Sequence, residues 1–386
     1  MEPLPEKLYT ADQVREMDRC LIEDKGIAGF TLMCRAGDAI FKQINQRWPN
    51  VNKILIYAGA GNNGGDGYVV ARLAHDQGLQ VQLVQMGDID KIKGDAEQAR
   101  TEYLHSGGSE ISVNSQSSCP DDYGLIIDAI FGTGLHREVT DKYRQVIEAI
   151  NNSDVPVLCV DIPSGLNSDT GKCMGVAVKA TVTVTFIGLK QGMFTADGPD
   201  YSGDIVFDEL AGNSQCYHEV ESAIETSIGP SVDRITLNCI KPLLPARSRS
   251  CYKNQCGHVL IVGGGRGMPG AVRLAGEAAL RSGAGLVTIA THPEHANLIA
   301  ASRPELMCFP IADASELLSL LDKVDLVAIG PGMGSDTWAL SLFKTIMQIE
   351  KPLVVDADAL NLLAKHQQTH RHWVLTPHPG EAARLL

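Results

Sequence analysis

KILIYAGAGNNGGDGYVVARLA, residues 53–74, decides the fold class: an apolar strand-like run, a glycine-rich turn and the start of an amphipathic helix. Gly59, Gly61, Gly64, Gly65 and Gly67 let the backbone turn tightly and approach a ligand closely. The amides that open the following helix present a positive dipole end suited to phosphate. The filling between the glycines is polar. Asn62, Asn63 and Asp66 put amide oxygens and a carboxylate where most phosphate loops carry small neutral residues, which points to chemistry or a bound cation as well as anchoring.

Working outward, the same strand–helix–strand pattern continues. YVVARLAHDQG leads into VQLVQMG, and further apolar runs follow at YGLIIDAIFG, PVLCVDIPSG, ATVTVTFIG and GDIVFDEL. Strands apolar on both faces and alternating with helices signal a mainly parallel sheet covered on both sides. Upstream, residues 10–48 read as two helices, with Thr10 as N-cap of the first. A second α/β series starts at HVLIVGGGRGMPGAVRLAGEAALRSG and runs through LVTIAT, DLVAIGPGMG, PLVVDADALNLL and HWVLTPHPGEAARLL. The expected organisation is two α/β domains: residues 1–212 as a Rossmann-like doubly wound sheet, 213–252 as a Ser- and Pro-rich linker leading into the second, and 253–386 as the second. The last segment stops in the first turns of an apolar helix, so the second domain is expected to lack its final part.

A chain of 386 residues with 44% hydrophobic and 20% charged residues suits a folded two-domain protein. Its net charge of −13 repels nucleic acid and anionic membranes, which leaves a small molecule as the expected partner. No basic leader or long apolar stretch stands in the sequence, so a cytoplasmic location is expected. The exposed N-terminal helix pair is a candidate interface for a homo-oligomer. Ten cysteines show no paired metal spacing; they are read as free thiols, and the Cys251/Cys256 proximity as chance.

Gly59, Gly61 and Gly64, and again Gly265, Gly267 and Gly270, fit a dinucleotide fingerprint in outline. For the first, Asp88 is the candidate ribose ligand; the second has no carboxylate at the matching strand end. Three loops of the first half follow apolar strands and so sit at the carboxyl edge of the sheet, where open α/β folds bind ligands: NNGGDG at 62, DAIFGTGL at 128 and DIPSGL at 161. Asn63, Asp128 and Ser164 can offer oxygen ligands to a hard cation. The competing reading is loop capping, which such side chains favour locally.

GNNGGDGYVVARLA, DAIFGTGL, VDIPSGLNSDTG and TFIGLKQG, spread over residues 9–212, resemble the NAD(P)H-hydrate epimerase family, the YjeF N-terminal type. GGGRGMPGAVRLAGEAALRSGAG, RPELM, IGPGMG, DADALNLL and TPHPGEAARLL resemble the ADP-dependent NAD(P)H-hydrate dehydratase domain, a ribokinase-like fold. Together they resemble the bifunctional NAD(P)H-hydrate repair enzymes. The resemblance implies that the substrate is NADHX or NADPHX, held in the first domain by Asn62, Asn63, Gly64, Gly65, Asp66, Gly132, Thr133, Gly134, Leu135, His136, Arg137, Glu138 and Asp161. It implies Asp161 as the catalytic carboxylate and Asn63, Asp128 and Ser164 as potassium ligands, with Lys190 facing the same pocket. In the second domain it implies Ala271, Gly332, His378, Pro379, Gly380, Glu381, Ala382, Ala383 and Arg384 around the substrate, with ADP or ATP and magnesium. Asp356 and Asp358 either support the phosphate or a metal, or cap the next helix.

The family's nucleotide-binding lysine–glycine segment and its late catalytic aspartate lie beyond the TPHPGE segment, and Tyr252-Lys253-Asn254 replaces the usual His-Lys-Gly. The second domain is therefore expected to bind ADP poorly and to have lost dehydration by truncation, with an apolar face left uncovered. Two other classes stand beside this reading. One is a non-catalytic binding or interaction module, against which intact Asp66, Asp128 and Asp161 argue. The other is an NAD-dependent dehydrogenase, for which no hydride-transfer site is identified.

Overall fold

The computed structural model describes residues 4–113, 120–244 and 246–386, in two compact units, Met1–Leu243 and Leu244–Leu386.

In the first unit a short ladder pairs β1 (Lys7–Leu8) with the later β9 (Val232–Asp233). The main sheet is built from β2 (Lys53–Ala58), β3 (Gln80–Gln85), β4 (Glu110–Ser112), β5 (Leu125–Ala129), β6 (Val157–Val160), β7 (Val182–Phe186) and β8 (Asp204–Asp208). All pairings are parallel, in the order β4-β3-β2-β5-β6-β7-β8. Successive strand residues point to opposite faces, and both faces are apolar. Ile54, Ile56 and Ala58 join the core with the helices Gly29–Arg47 and Asn62–Asp76, whereas Leu55 and Tyr57 pack with Val146, Ile147 and Ile150 of the helix Asp141–Asn151. This is the doubly wound layer structure the continuous apolar runs require. β4 has no such run: it is a three-residue edge strand with Ile111 exposed, and the sequence gives no sign of it.

Thr10 caps the helix Ala11–Arg19 in a capping box with Gln13, as expected. The helix passes into a π-turn at Cys20–Asp24. The expected linker over 213–252 is different in the structure. Its first part forms the helix Ser214–Ser227, N-capped by Asn213, with Tyr217, Val220 and Ile224 buried in the core of the first unit. The helix is tied to the N-terminus through Lys7 Nζ to Glu225 at 2.6 Å and Tyr9 Oη to Glu221 at 2.5 Å. Its apolar stripe is interleaved with Ser, Glu and His, which masks it in composition.

The second unit carries β10 (His258–Val262), β11 (Leu286–Thr291), β12 (Met307–Pro310), β13 (Leu326–Ile329), β14 (Leu353–Val355) and β15 (Trp373–Leu375). They form a six-stranded parallel sheet in the order β12-β11-β10-β13-β14-β15. On the edge strand β15, Val374 is 58% and Leu375 40% exposed.

Because Ile224 is fully buried on the helix Ser214–Ser227, Ile224→Ala should lower the stability of the first unit by about 2–5 kcal/mol, the range for truncating a buried aliphatic side chain. Denaturant titration of the full chain reads this; a change within error of zero would mean that the helix behaves as a linker after all.

Candidate functional site

Strand order reverses between β2 and β5 of the first unit, and the crevice beyond such a switch point is where open α/β sheets take ligands. The two loops there fit without room for side chains. A Cβ on Gly59 would lie 2.0 Å from the Ile130 carbonyl oxygen, and one on Gly64 1.9 Å from that of Gly59. The helix Asn62–Asp76 therefore starts directly against the strand end, with Gly61 as an N-cap that has no side chain to occupy its first amides.

A cavity of about 760 Å³ opens over this edge. Its walls come from the start of the helix after β2 (Asn62, Asn63, Asp66), the loop after β5 (Phe131 to Arg137), Asp161 after β6, and Ile187 and Lys190 after β7. Gly64, Gly65 and Glu138 do not line it: the glycines pack under the helix start, against Gly59 and Met33 respectively, and Glu138 is exposed. Asp88 is elsewhere, capping the turn Ile89–Lys91 through Asp90 N–H, and does not line the cavity.

Asp161 and Lys190 form the centre of the wall. Lys190 has no exposed surface. Its ammonium donates to Asp161 Oδ1, to Thr185 Oγ1 at 3.0 Å and to the Phe186 carbonyl at 2.9 Å, which uses all of its donors. Phe186 N–H adds a further bond to Asp161 Oδ1 at 3.2 Å. Burial pushes the Lys190 ammonium down from its ordinary pKa, against the pull of Asp161. The backbone is strained at the same place: Asp161 has φ +66° and Ile187 φ +65°, the latter a β-branched residue for which that region is costly. Such strain gathers at sites where a side chain must be aimed.

Beneath the loops, Asp128 is fully buried. Its Oδ1 accepts from Ser164 Oγ at 2.6 Å and Ile130 N–H at 3.3 Å, and its Oδ2 from Ser164 N–H at 2.8 Å and the Cys159 thiol at 3.2 Å. Ser164 Oγ in turn accepts from Phe131 N–H at 2.8 Å and lies 3.3 Å from the Phe131 carbonyl. Asn63, nine-tenths buried, has an amide nitrogen without a partner. Carboxylate, hydroxyl, carbonyl and amide oxygens are the donor set of a hard cation. Burial raises the Asp128 carboxyl despite its hydrogen bonds, so a cation beside it would relieve an unfavourable buried charge.

The cavity also holds Asp18 and Asp95, which the sequence did not single out. Asp18 shares a face with Val14 and Ile22 at four-residue spacing, and all of them line the cavity. The one signal was a carboxylate within the apolar stripe of a capped helix. Asp66 is held well above the usual carboxylate range, first by burial and then by the charges of Asp161 and Asp18; Asp18 is raised first by burial and then by the charges of Asp161 and Asp95.

In the second unit the order reverses between β10 and β13. The loops there clasp each other, Gly264 N–H to Pro331 O at 3.0 Å and Gly265 N–H to Gly332 O at 2.7 Å. Gly332 faces Ala271, whose Cβ would be 3.1 Å from one built on the glycine. His378 caps the helix Pro379–Leu385, with Glu381 buried in the capping box. Arg384 donates to Asn361 Oδ1 at 2.8 Å. Asp356 caps the helix Ala357–Lys365 and accepts from Thr376 Oγ1 at 2.9 Å, and Asp358 accepts from Gly334 N–H at 2.8 Å. Asp356 thus has the helix-capping role that is one of its two readings, whereas Asp358 caps no helix and ties the Gly334 loop instead.

The family model described as the YjeF-related protein N-terminus matches residues 29–192, and that of the NAD(P)H-hydrate dehydratase matches 259–386. A bifunctional NAD(P)H-hydrate repair enzyme Nnr from Coxiella burnetii is 44% identical, over 98% of this chain and 75% of its own length. The chain belongs to the bifunctional NAD(P)H-hydrate repair enzyme family. It carries both of the family's domains, epimerase and dehydratase. The Escherichia coli relative is 38% identical over 99% of this chain and 72% of its own. A solved ADP/ATP-dependent NAD(P)H-hydrate dehydratase from Bacillus subtilis, co-crystallised with ATP/Mg2+, is 29% identical over 39% of this chain and 54% of its own, with a TM-score of 0.33. The expected loss of the dehydratase by truncation finds no support in these matches, which follow the chain through its second unit. Among the described residues no helix is long and apolar enough to cross a membrane.

The raised Asp66 carboxyl gives a pH signature. Unfolded, it releases its proton near 3.8; folded, it holds the proton to higher pH. The folded state then binds more protons, so Asp66's contribution to stability is full below that pH and is lost as pH rises through the folded value. Subtracting the Asp66→Asn stability curve from the wild-type curve should leave a difference that declines with rising pH. A flat or rising difference would show that Asp66 is not desolvated in this way.

Proposed function

We propose that the first unit interconverts the R and S forms of NADHX and NADPHX at C6 of the hydrated nicotinamide, and that the second unit dehydrates the S form with ADP or ATP and magnesium. The observation that carries the first part is the Asp161–Lys190 pair: a carboxylate aimed by a strained backbone at a cavity beside a glycine-rich helix start.

The hydrated ring carries a hydroxyl on C6 next to the ring nitrogen. Configuration is lost by reversible ring opening, in which the hydroxyl gives up its proton as the C6–N bond breaks, or by departure of the hydroxyl with a proton while nitrogen supplies its electron pair. Each route moves a proton off or onto that oxygen. Asp161 is proposed to accept and return it, with Lys190 as the counter-charge that fixes the carboxylate. Asp66, whose burial favours the protonated form, offers a donor on the same wall. Two acids whose surroundings differ suit opposite proton-transfer roles.

The cavity can take the nicotinamide end near Asp161, with nucleotide phosphate at the amides that open the helix Asn62–Asp76. Residues Gly132 to Arg137 supply the facing wall. A potassium ion would be held by Asn63, Asp128 and Ser164, with the Phe131 carbonyl as a further oxygen. It would supply positive charge that neutralises buried Asp128 and ties the loops after β2, β5 and β6. In the second unit Ala271, Gly332 and the His378–Arg384 segment are proposed to meet the hydrate; the C6 hydroxyl, once phosphorylated from ADP or ATP, would leave as inorganic phosphate as C5 loses a proton, restoring the ring double bond. A cytoplasmic location fits both substrates.

The test gives the purified chain R-NADHX with potassium and follows both epimers by chromatography, with and without ADP or ATP. Epimers should equilibrate without nucleotide, and nucleotide should add NADH formation. Asp161→Asn keeps a hydrogen-bond acceptor for Lys190 but loses the proton acceptor and the counter-charge, so epimerisation in the folded variant should slow by about 10²–10⁴. An unchanged rate in a folded Asp161→Asn would remove Asp161 from the chemistry. If potassium is bound as proposed, replacing it with a much larger or smaller monovalent cation should also reduce the rate.

A further inference from the structure

The short turn that leads into β10 holds Cys251 and Cys256, residues whose spacing in the sequence was read as chance. Their sulfurs are 3.1 Å apart, inside ordinary van der Waals contact for two sulfur atoms. We propose that Cys251 and Cys256 are a reversible thiol–disulfide modification site, closed by a low-molecular-weight disulfide such as oxidised glutathione.

The backbone between the thiols is already folded into the ring. Gln255 N–H bonds to Tyr252 O at 2.9 Å and Cys256 N–H to Lys253 O at 3.1 Å, while Cys251 N–H is held by Ser248 O at 3.0 Å. The turn lies flat on Gly285: Gly285 N–H donates to Cys256 O at 3.1 Å, and a Cβ there would fall 1.7 Å from Lys253 O and 2.9 Å from Cys256 Cβ. The turn therefore has little freedom to lose when the sulfurs join. Both cysteines are partly exposed, so a small disulfide can reach them.

The exchange balances. One thiol gives its proton to solvent and its thiolate attacks the small disulfide, releasing one thiolate and leaving a mixed disulfide on the protein. The second thiol, likewise deprotonated, attacks the protein-side sulfur of that bond and expels the other half as a thiolate. Two protein thiols are oxidised to one disulfide, and one small disulfide is reduced to two thiols. Because the second sulfur is already in contact, ring closure should outrun accumulation of the mixed disulfide, the usual advantage of a positioned intramolecular partner.

The full chain is equilibrated in glutathione redox buffers, quenched with acid and alkylated, and the peptide spanning 251–256 is weighed. The native chain should lose two hydrogen masses there, with no glutathione adduct, and reduction should reverse it. Cys251→Ser should instead collect a glutathione adduct on Cys256. Repeating the titration in urea separates folded geometry from mere sequence proximity: closure is intramolecular in both states, but only the folded turn positions the second sulfur, so the folded chain should favour the ring by at least about tenfold. Stable glutathione adducts on both cysteines of the native chain would overturn the proposal, as would thiols that stay reduced under every buffer, or equal ring formation in urea.

Discussion

Lys190 has no contact with solvent, and that single fact constrains the first unit. A buried ammonium persists only where its protons are all bonded and an opposite charge is near. Asp161 supplies the charge, and Thr185 and Phe186 O the remaining acceptors. The arrangement needs the ends of β6 and β7 side by side, which the parallel pairing of Val160 with Val184 provides. It also needs Asp161 and Ile187 turned into the left-handed region. Neither turn would be kept by local preference, so the strain is a consequence of satisfying the ion pair.

The same constraint reaches the N-terminus. Tyr9 bonds on either side of Lys190, its N–H to Leu189 O at 2.8 Å and its carbonyl to Gln191 N–H at 3.0 Å. Its hydroxyl is held by Glu221 on the helix Ser214–Ser227. A segment read from composition as linker thus braces the strand end that carries the buried cation. The cavity's charge pattern follows as well. With one cation committed to Asp161, Asp66 and Asp18 gain little from Lys190, and burial is the dominant influence on both.

How much of this the sequence disclosed depends on how local the cause is. The glycine loop, the parallel strands and Thr10 as a cap were legible because each is written in adjacent residues whose sterics or periodicity act alone. Asp128, Ser164, Asn63 and Asp161 were legible as strand-end residues, though the resemblance to known families carried their roles. The Phe131 carbonyl was not, since backbone oxygens leave no trace in residue type. Asp18 and Glu221 were not either: their meaning depends on partners far along the chain, as in the Tyr9–Glu221 bond across 212 positions. Edge strands β4 and β12 escaped because exposed short strands need no apolar run.

The two units meet one requirement with different donors. Each brings glycine-bearing loops together at a switch point so that backbone can lie against a ligand. In the first unit the surrounding edge is furnished with ionisable side chains at graded burial: Lys190 and Asp128 fully covered, Asp161, Asp66 and Asp18 at the cavity. In the second, the Asp356 and Asp358 carboxylates are spent on a helix cap and a loop amide, and the glycine loops hold each other through main-chain bonds. A site of the first kind can move protons with its own groups. Among the described residues of the second unit, the switch-point loops offer shape and main-chain dipoles instead.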